Sequence, residues 1–89
     1  MKPVLITTKH RSVFAGLISE DQDVTARSMP LKDARMAIYW NTTRGVMELA
    51  HTGPNDGSRI SLPADISAVH DITEIFDITP EAWEKWTKA

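Results

Sequence analysis

The chain has 89 residues, short enough that a single hydrophobic core is the economical arrangement, so we expect one domain spanning residues 1–89. Hydrophobic residues make up 42% and charged residues 25%, which is typical of globular proteins, and the absence of cysteine excludes disulfides, thiolate metal sites and thiol nucleophiles. The net charge of −2 gives no overall attraction to phosphate backbones, so nucleic acid is a disfavoured partner.

The N-terminal sequence predicts neither secretion nor membrane insertion. Only three adjacent apolar residues, Val4 to Ile6, precede the polar Thr7-Thr8-Lys9, which is far short of the apolar core of a signal peptide. No later run approaches the length that a membrane span needs. We therefore expect a soluble, cytoplasmic protein with no membrane partner, and a chain without cysteine suits that reducing compartment.

The first two predicted strands form a β-hairpin. Pro3 to Thr8 is rich in β-branched residues, Lys9 to Arg11 is a polar turn, and Ser12 to Ile18 is a second apolar run. Runs of this kind on either side of a short polar turn are typical of paired strands. Gly16 in the second strand predicts a bulge, or a bend where another backbone comes close.

The middle of the chain is predicted to contain two more strands. After an acidic turn over residues 19–23, Val24 to Leu31 is expected to be a strand, with Pro30 marking its edge or a kink. Lys32 to Arg35 is predicted to be a polar connection. Met36 to Trp40 combines aromatic and branched residues, which favours a half-buried strand, with a helix as the competing interpretation.

A short helix and a strong turn follow. Gly45 to Glu48 is typical of a helix start, and Gly53-Pro54 of a helix end. Val46 to His51 is therefore predicted to form one or two helical turns. Residues 54–58 contain a proline and an Asp-Gly pair, the strongest turn signal in the chain.

The last third of the chain is predicted to contain strands and a terminal helix. Arg59 to Leu62 is a short strand, and Ile66 to Ile78 is either a pair of strands or one bent strand broken near His70-Asp71. The Thr-Pro-Glu sequence at 79–81 provides an N-cap, a proline at the first helical position and an acidic first turn. The final helix is predicted from Pro80 to about Thr87.

Two stretches near the C-terminus have one apolar face. In the second half of the β region, alternation places Ile72, Phe76 and Ile78 on the same side. In the terminal helix, Trp83 and Trp86 lie three residues apart and share a face. That face needs a cover, either the sheet or a partner protein.

Together these elements predict a mainly β fold. Short strands at this spacing, with one short internal helix and a C-terminal helix, are typical of a small SH3-like or Sm-like strongly bent barrel or β-roll. The alternative is an α+β roll. Because so small a domain buries little surface, a homo-oligomer would add stability.

The sequence contains no signature of catalysis, metal binding or a cofactor. The three histidines are far apart and lack the close spacing of metal ligands. No glycine-rich phosphate loop and no nucleophile elbow is present. The carboxylates between residues 65 and 77 fit a solvated strand face better than an acid–base pair. We therefore expect a protein that is not an enzyme, with no metal and no cofactor.

One group of residues is a candidate ligand site. Hydrogen-bond donors concentrate in the first turn, around Trp40, and near the turn over residues 54–58. If these loops meet at one end of a barrel, the arginines and free backbone N–H groups beside an aromatic ring suit a small anionic or nucleotide-like ligand. The simpler interpretation is that loops of any soluble protein collect such residues. The candidate ligand-binding residues are Lys9, His10, Arg11, Arg35, Trp40, Thr43, Arg44, Thr52, Gly53, Ser58 and Arg59.

Four segments carry a resemblance to known sequences. It resides in Thr8-x-His10-Arg11-x-Val13-Phe14-x-Gly16, in Lys32-Asp33-Ala34-Arg35 with Ile38-Tyr39-Trp40, in Gly45-x-x-Glu48-Leu49-Ala50-x-Thr52-Gly53-Pro54, and in Val69-x-Asp71-Ile72-Thr73 with Thr79-Pro80-Glu81-Ala82. The pattern resembles a family of short uncharacterised proteins of bacteriophages and prophages. The resemblance implies a phage accessory protein in the host cytoplasm and implies no mechanism.

We therefore expect a non-catalytic, phage-type accessory protein that acts by binding. Its expected partner is a host protein, such as a defence factor inhibited by contact, or a nucleotide-like signal that the protein sequesters. Three tryptophans in a chain of this length favour an interface role for one of them. The alternative is an Sm-like RNA-binding module, which the first half of the chain resembles, although the pI near 5.8 and the missing Sm signature count against it.

Overall fold

The computed structural model describes all residues from 1 to 89. The fold is mainly β, with one short internal helix and one C-terminal helix, as the sequence predicts. In chain order the elements are β1 (Lys2–Thr8), β2 (Val13–Ile18), β3 (Met29–Tyr39), α1 (Val46–His51), β4 (Arg59–Ile60), β5 (Ala64–Val69), β6 (Ile72–Asp77) and α2 (Pro80–Lys88).

The strands form one antiparallel sheet in the order β4-β3-β2-β1-β6, with β5 beside β4 on the same side of β3. β5 pairs with β3 and β6 pairs with β1, yet only His70 and Asp71 separate these two strands. Since two residues span little distance, the sheet must curl until its two edges meet at this point. β5 and β6 do not pair with each other, so the strongly bent sheet stays open.

The curl explains why three successive residues of β1 are fully buried. Val4 and Ile6 pack on the face that the curl encloses, and Leu5 packs on the opposite face, which the helices cover. A strand covered on both faces is a continuous apolar run. The enclosed-face cluster contains Val4, Ile6, Ile18, Met29, Leu31, Ala34 and Val69. The helix-side cluster contains Leu5, Val13, Ala15, Ala37, Leu49, Ala50, Ile78, Ala82 and Trp86.

The predicted boundary between the third and fourth strands is wrong. Residues 24–28 form a loop, and β3 runs without interruption from Met29 to Tyr39 through the predicted connection of residues 32–35. β3 is paired on both sides, and its ladders shift register at several points. Bulges of this kind, together with a left-handed φ of 50° at Asp33, allow a polar stretch to remain in a strand.

The predicted face of Ile72 is also wrong. Ile72 packs against the enclosed-face cluster, whereas Phe76 and Ile78 lie on the helix side. The ladder between β1 and β6 shifts register at Thr7–Thr8, where β6 has one residue more than β1. One extra residue moves the following side chains to the other face.

The terminal helix closes the helix side of the sheet. Thr79 Oγ1 accepts a hydrogen bond from the Ala82 N–H, as predicted for the N-cap. Trp86 is fully buried, and its Nε1–H donates to the Leu49 carbonyl oxygen at 2.9 Å. Trp83 is half-buried, with the Arg35 guanidinium 5.7 Å from its ring centroid. Neither α1 nor α2 has the length and apolar character needed to cross a membrane.

Candidate functional site

Two turns meet where the edges of the sheet come together. The Lys9 N–H donates to the Asp71 carbonyl oxygen at 3.0 Å, and Nε2 of His10 lies 3.0 Å from Oδ2 of Asp71. Arg11 and Asp71 both adopt the left-handed region, with φ of 63° and 57°, which non-glycine residues seldom occupy. Such conformations persist where the surrounding structure fixes them, and they cluster at functional sites.

A third segment reaches the same place and adds positive charge. The Ile72 N–H donates to the Arg27 carbonyl oxygen at 3.1 Å, which fixes the loop of residues 24–28 beside β6. All five basic side chains in this region are exposed, and the carboxylates that share a cleft with Lys9 and Arg27 are Asp71 and Glu74. We call the basic residues the cationic corner; they are Lys9, His10, Arg11, Arg27 and His70.

The cationic corner has a local charge opposite to that of the whole chain. With neutral histidines, its lysine and two arginines outnumber Asp71 and Glu74, while the chain carries a net charge of −2. Because a local excess of one sign attracts the other, this region favours anionic groups.

Two open clefts flank Asp71. The first, of about 470 Å³, lies between residues 24–27 and residues 71–75, with Lys9 at one end. The second, of about 550 Å³, lies between the β1–β2 turn and the end of β5, and it includes His10 and His70. Both volumes fall in the range of ligand sites. A bound group can therefore contact the cationic corner from either side.

The structure places the other predicted site residues elsewhere. Arg44 and Thr52 line a separate cleft of about 410 Å³ beside α1. The Thr43 hydroxyl donates to the Glu48 carboxylate at 3.1 Å, and Trp40 packs against the helix-side cluster. No cleft contains residues of both this group and the first turn.

The remaining four predicted residues have partners within the fold. The Arg35 side chain is 11% exposed and lies 3.1 Å from the Asp33 carboxylate. Gly53, with φ of 91°, packs against α2, and the Ser58 hydroxyl donates to Asn55 Oδ1. Arg59 pairs with Tyr39 in the β3–β4 ladder. Ligand binding at these positions stays a prediction.

Sequence reasoning missed Arg27, His70 and Asp71 as site residues. It predicted a break near His70-Asp71, but the role of this break depends on β6 pairing with β1, some seventy residues away along the chain. Only the β-branched composition of both strands hints at that pairing. The sequence predicts a strand at residues 24–28, where the structure has a loop, so it gives no signal for the position of Arg27.

Comparison with known proteins identifies a family. A family model matches residues 1–86, from β1 into α2. The chain belongs to the family described as Domain of unknown function (DUF6948). No curated protein matches the chain, and no solved structure matches it. The resemblance to an uncharacterised family is confirmed to this extent, whereas the phage origin stays a prediction.

The His10–Asp71 pair gives this DUF6948 chain a testable pH response. The hydrogen bond from His10 lowers the pKa of the Asp71 carboxyl, with smaller contributions from the charges of His10, Lys9 and His70. Because the folded pKa is depressed, the pair stabilises the fold above the unfolded pKa, and this contribution is lost as the pH falls through the folded pKa. Both side chains are well exposed, so the contribution is small.

We expect His10→Ala to raise the pKa of Asp71 toward its ordinary value. An NMR titration of the side-chain carboxyl resonances measures this directly. Asp23 is the internal control, since a hydrogen bond from Thr25 lowers its pKa and should remain in the variant. An Asp71 titration curve that does not move while Asp23 also stays constant would contradict the role of His10.

Proposed function

We propose that this chain is a non-catalytic, phage-type accessory protein that acts by binding and recognises an anionic group at the cationic corner. The observation that carries the proposal is the meeting of basic side chains from three segments around Asp71. In a host cytoplasm, the anionic group would belong either to a nucleotide-like signal that the protein sequesters or to an acidic surface of a defence factor that it inhibits by contact.

The backbone geometry supports recognition by a fixed site. Backbone hydrogen bonds join the first turn to Asp71 and the loop of residues 24–28 to Ile72, so these segments are held in place before a ligand arrives. Preorganised groups lose less conformational entropy on binding. Arginine also binds carboxylate and phosphate groups with two parallel hydrogen bonds.

A second observation favours contact with a protein over capture of a small molecule. Large apolar side chains are exposed at the C-terminal end of β3 and just after β4: Ile38 is 60%, Tyr39 55% and Leu62 87% exposed. Arg59 pairs with Tyr39 in the same ladder. Tyrosine and arginine are enriched at the centres of protein interfaces.

We expect Arg27→Ala to weaken binding of an anionic ligand by about 10- to 100-fold, since Arg27 lines the first cleft and a charge-assisted hydrogen bond contributes about 1.5–3 kcal/mol. The measurement is calorimetry with cyclic and ADP-ribose-type nucleotides, alongside a pull-down from host lysate for the protein arm. Arg44→Ala is the matched control, because Arg44 is also an exposed arginine but lines the cleft beside α1.

The outcomes separate the alternatives. A nucleotide bound equally well by the Arg27→Ala variant and the unchanged protein would contradict recognition at the cationic corner, and loss of binding only with Arg44→Ala would place the site at α1. Calorimetry that shows no nucleotide binding, together with specific retention of one host protein in the pull-down, would favour inhibition by contact. Salt-sensitive RNA binding in gel shifts would favour the Sm-like alternative instead.

A further inference from the structure

One edge of β6 carries backbone groups that no strand of the fold pairs with. β6 pairs only with β1. The Ile78 N–H donates to the Pro3 carbonyl and the Lys9 N–H to the Asp71 carbonyl, so the odd-numbered residues of β1 face β6. The Thr8 N–H donates to the Ser12 carbonyl on the β2 side, as alternation requires.

This alternation determines which groups of β6 point away from β1. Leu5 is opposite Phe76, so Phe76 directs its backbone N–H and C=O toward β1. The neighbouring residues Ile75 and Asp77 must direct theirs to the free edge. An edge of this kind is a template for pairing with another extended chain.

The cleft of about 470 Å³ runs along this same edge. Residues 71–75, which are Asp71 and the first four residues of β6, line one side of the cleft, and residues 24–27 line the other. Five residues of a strand span roughly 13 Å at about 3.3 Å per residue. The Ile72 N–H already donates to the Arg27 carbonyl, so the loop occupies the first pairing position and leaves the following ones open.

Charge differs between the two ends of the edge. Lys9 and Arg27 lie with Asp71 at the Ile72 end, which leaves one positive charge in excess there, whereas the carboxylates Glu74 and Asp77 are exposed further along. A peptide that runs antiparallel to β6 places its C-terminal end beside Lys9 and Arg27. Charge complementarity therefore favours a peptide with carboxylates at its C-terminal end.

We infer that an extended segment of a partner protein adds to β6 as an antiparallel strand, with a carboxylate at its C-terminal end held by Lys9 and Arg27. The inference rests on the proposed function and specifies the class of ligand. Main-chain hydrogen bonds to Ile75 and Asp77 supply affinity, and the basic side chains supply direction. A second copy of the chain is the competing occupant of this edge, and the test below distinguishes it by the oligomeric state of the peptide-free chain.

The test uses a library of random seven-residue peptides with free C-termini, selected against the full chain. We expect enrichment of β-branched residues, with Asp or Glu near the C-terminus. Binding should slow hydrogen exchange of the Ile75 and Asp77 amides at least tenfold and leave the Phe76 amide unchanged. Methylating the peptide nitrogens that face β6 should abolish binding, whereas methylating the alternate nitrogens should not.

Variants connect the peptide to the corner and separate the two proposals. Lys9→Ala and Arg27→Ala should each weaken binding of the selected peptide at least tenfold, and Arg44→Ala should not. Acidic peptides that bind at the corner without protecting the Ile75 and Asp77 amides would overturn strand addition while leaving the proposed function standing. A library that yields no binder, or a peptide-free dimer that protects the same amides, also overturns it.

Discussion

Replacing Trp86 with alanine is expected to lower the free energy of unfolding by about 3–5 kcal/mol. The side chain is fully buried in the helix-side cluster, so its removal leaves a cavity between α2 and the sheet. The substitution also removes the indole N–H that donates to the Leu49 carbonyl, an oxygen in the last turns of α1. Carbonyls in this part of a helix lack intrahelical partners, so burying one without a donor adds to the loss.

Urea unfolding monitored by circular dichroism measures the change. Trp86→Phe retains much of the ring volume but loses the N–H, and we expect it to cost about 1–3 kcal/mol. Thr87→Ala is the matched control at the next, exposed position and should change stability by no more than about 0.5 kcal/mol. A Trp86→Ala protein within about 1 kcal/mol of the unchanged chain would show that α2 is not an integral part of the core.

Local signals in the sequence were sufficient for the elements that depend on neighbouring residues. The helix Val46–His51 has the predicted bounds because glycines with φ of 86° and 91° flank it at Gly45 and Gly53. The start of α2 is likewise as predicted, since the Thr79 cap and Pro80 act within one turn. Such signals need no knowledge of the tertiary fold.

Features that depend on distant pairing could not be predicted from the sequence. β3 continues through a polar stretch because partners on both sides stabilise it, and Ile72 changes face because of an irregularity against β1. Neither effect has a local signature, since a register shift is a property of two strands together. Sequence patterns alone therefore predict alternation correctly only as far as the next bulge.

The candidate site likewise combines residues that a local sequence signal predicts with residues that only distant strand pairing brings to the site. Lys9, His10 and Arg11 could be named because a polar turn between two apolar runs is a local feature. Arg27 and His70 join them only through the bonds of the sheet edges near Asp71 and Ile72. The hypothesis of one common site for the cationic loops is wrong in its geometry, because Arg44 and Thr52 line a different cleft from the first turn, and ligand binding at the first turn stays a prediction.

Gly16 is the position where a single added methyl group is expected to disturb the enclosed face of the sheet. A Cβ at this position would lie 2.5 Å from Leu31 Cγ, and Leu31 is fully buried. The predicted bulge is confirmed by a register shift between Ala15 and Leu17, whereas the close neighbour is the Leu31 side chain and not another backbone. We expect Gly16→Ala to cost about 1–3 kcal/mol through overpacking.

A double-mutant cycle with Leu31 tests this cause. Leu31→Ala alone should cost about 2–5 kcal/mol, because it leaves a cavity in the enclosed-face cluster. In the double variant the new methyl group enters part of that cavity, so the combined loss should fall short of the sum by at least about 0.5 kcal/mol. Gly57→Ala is the control, since its nearest neighbour is Asn55 Oδ1 at an ordinary 3.5 Å. Strict additivity of the two losses, measured by urea unfolding, would show that Gly16 is required for some reason other than its contact with Leu31.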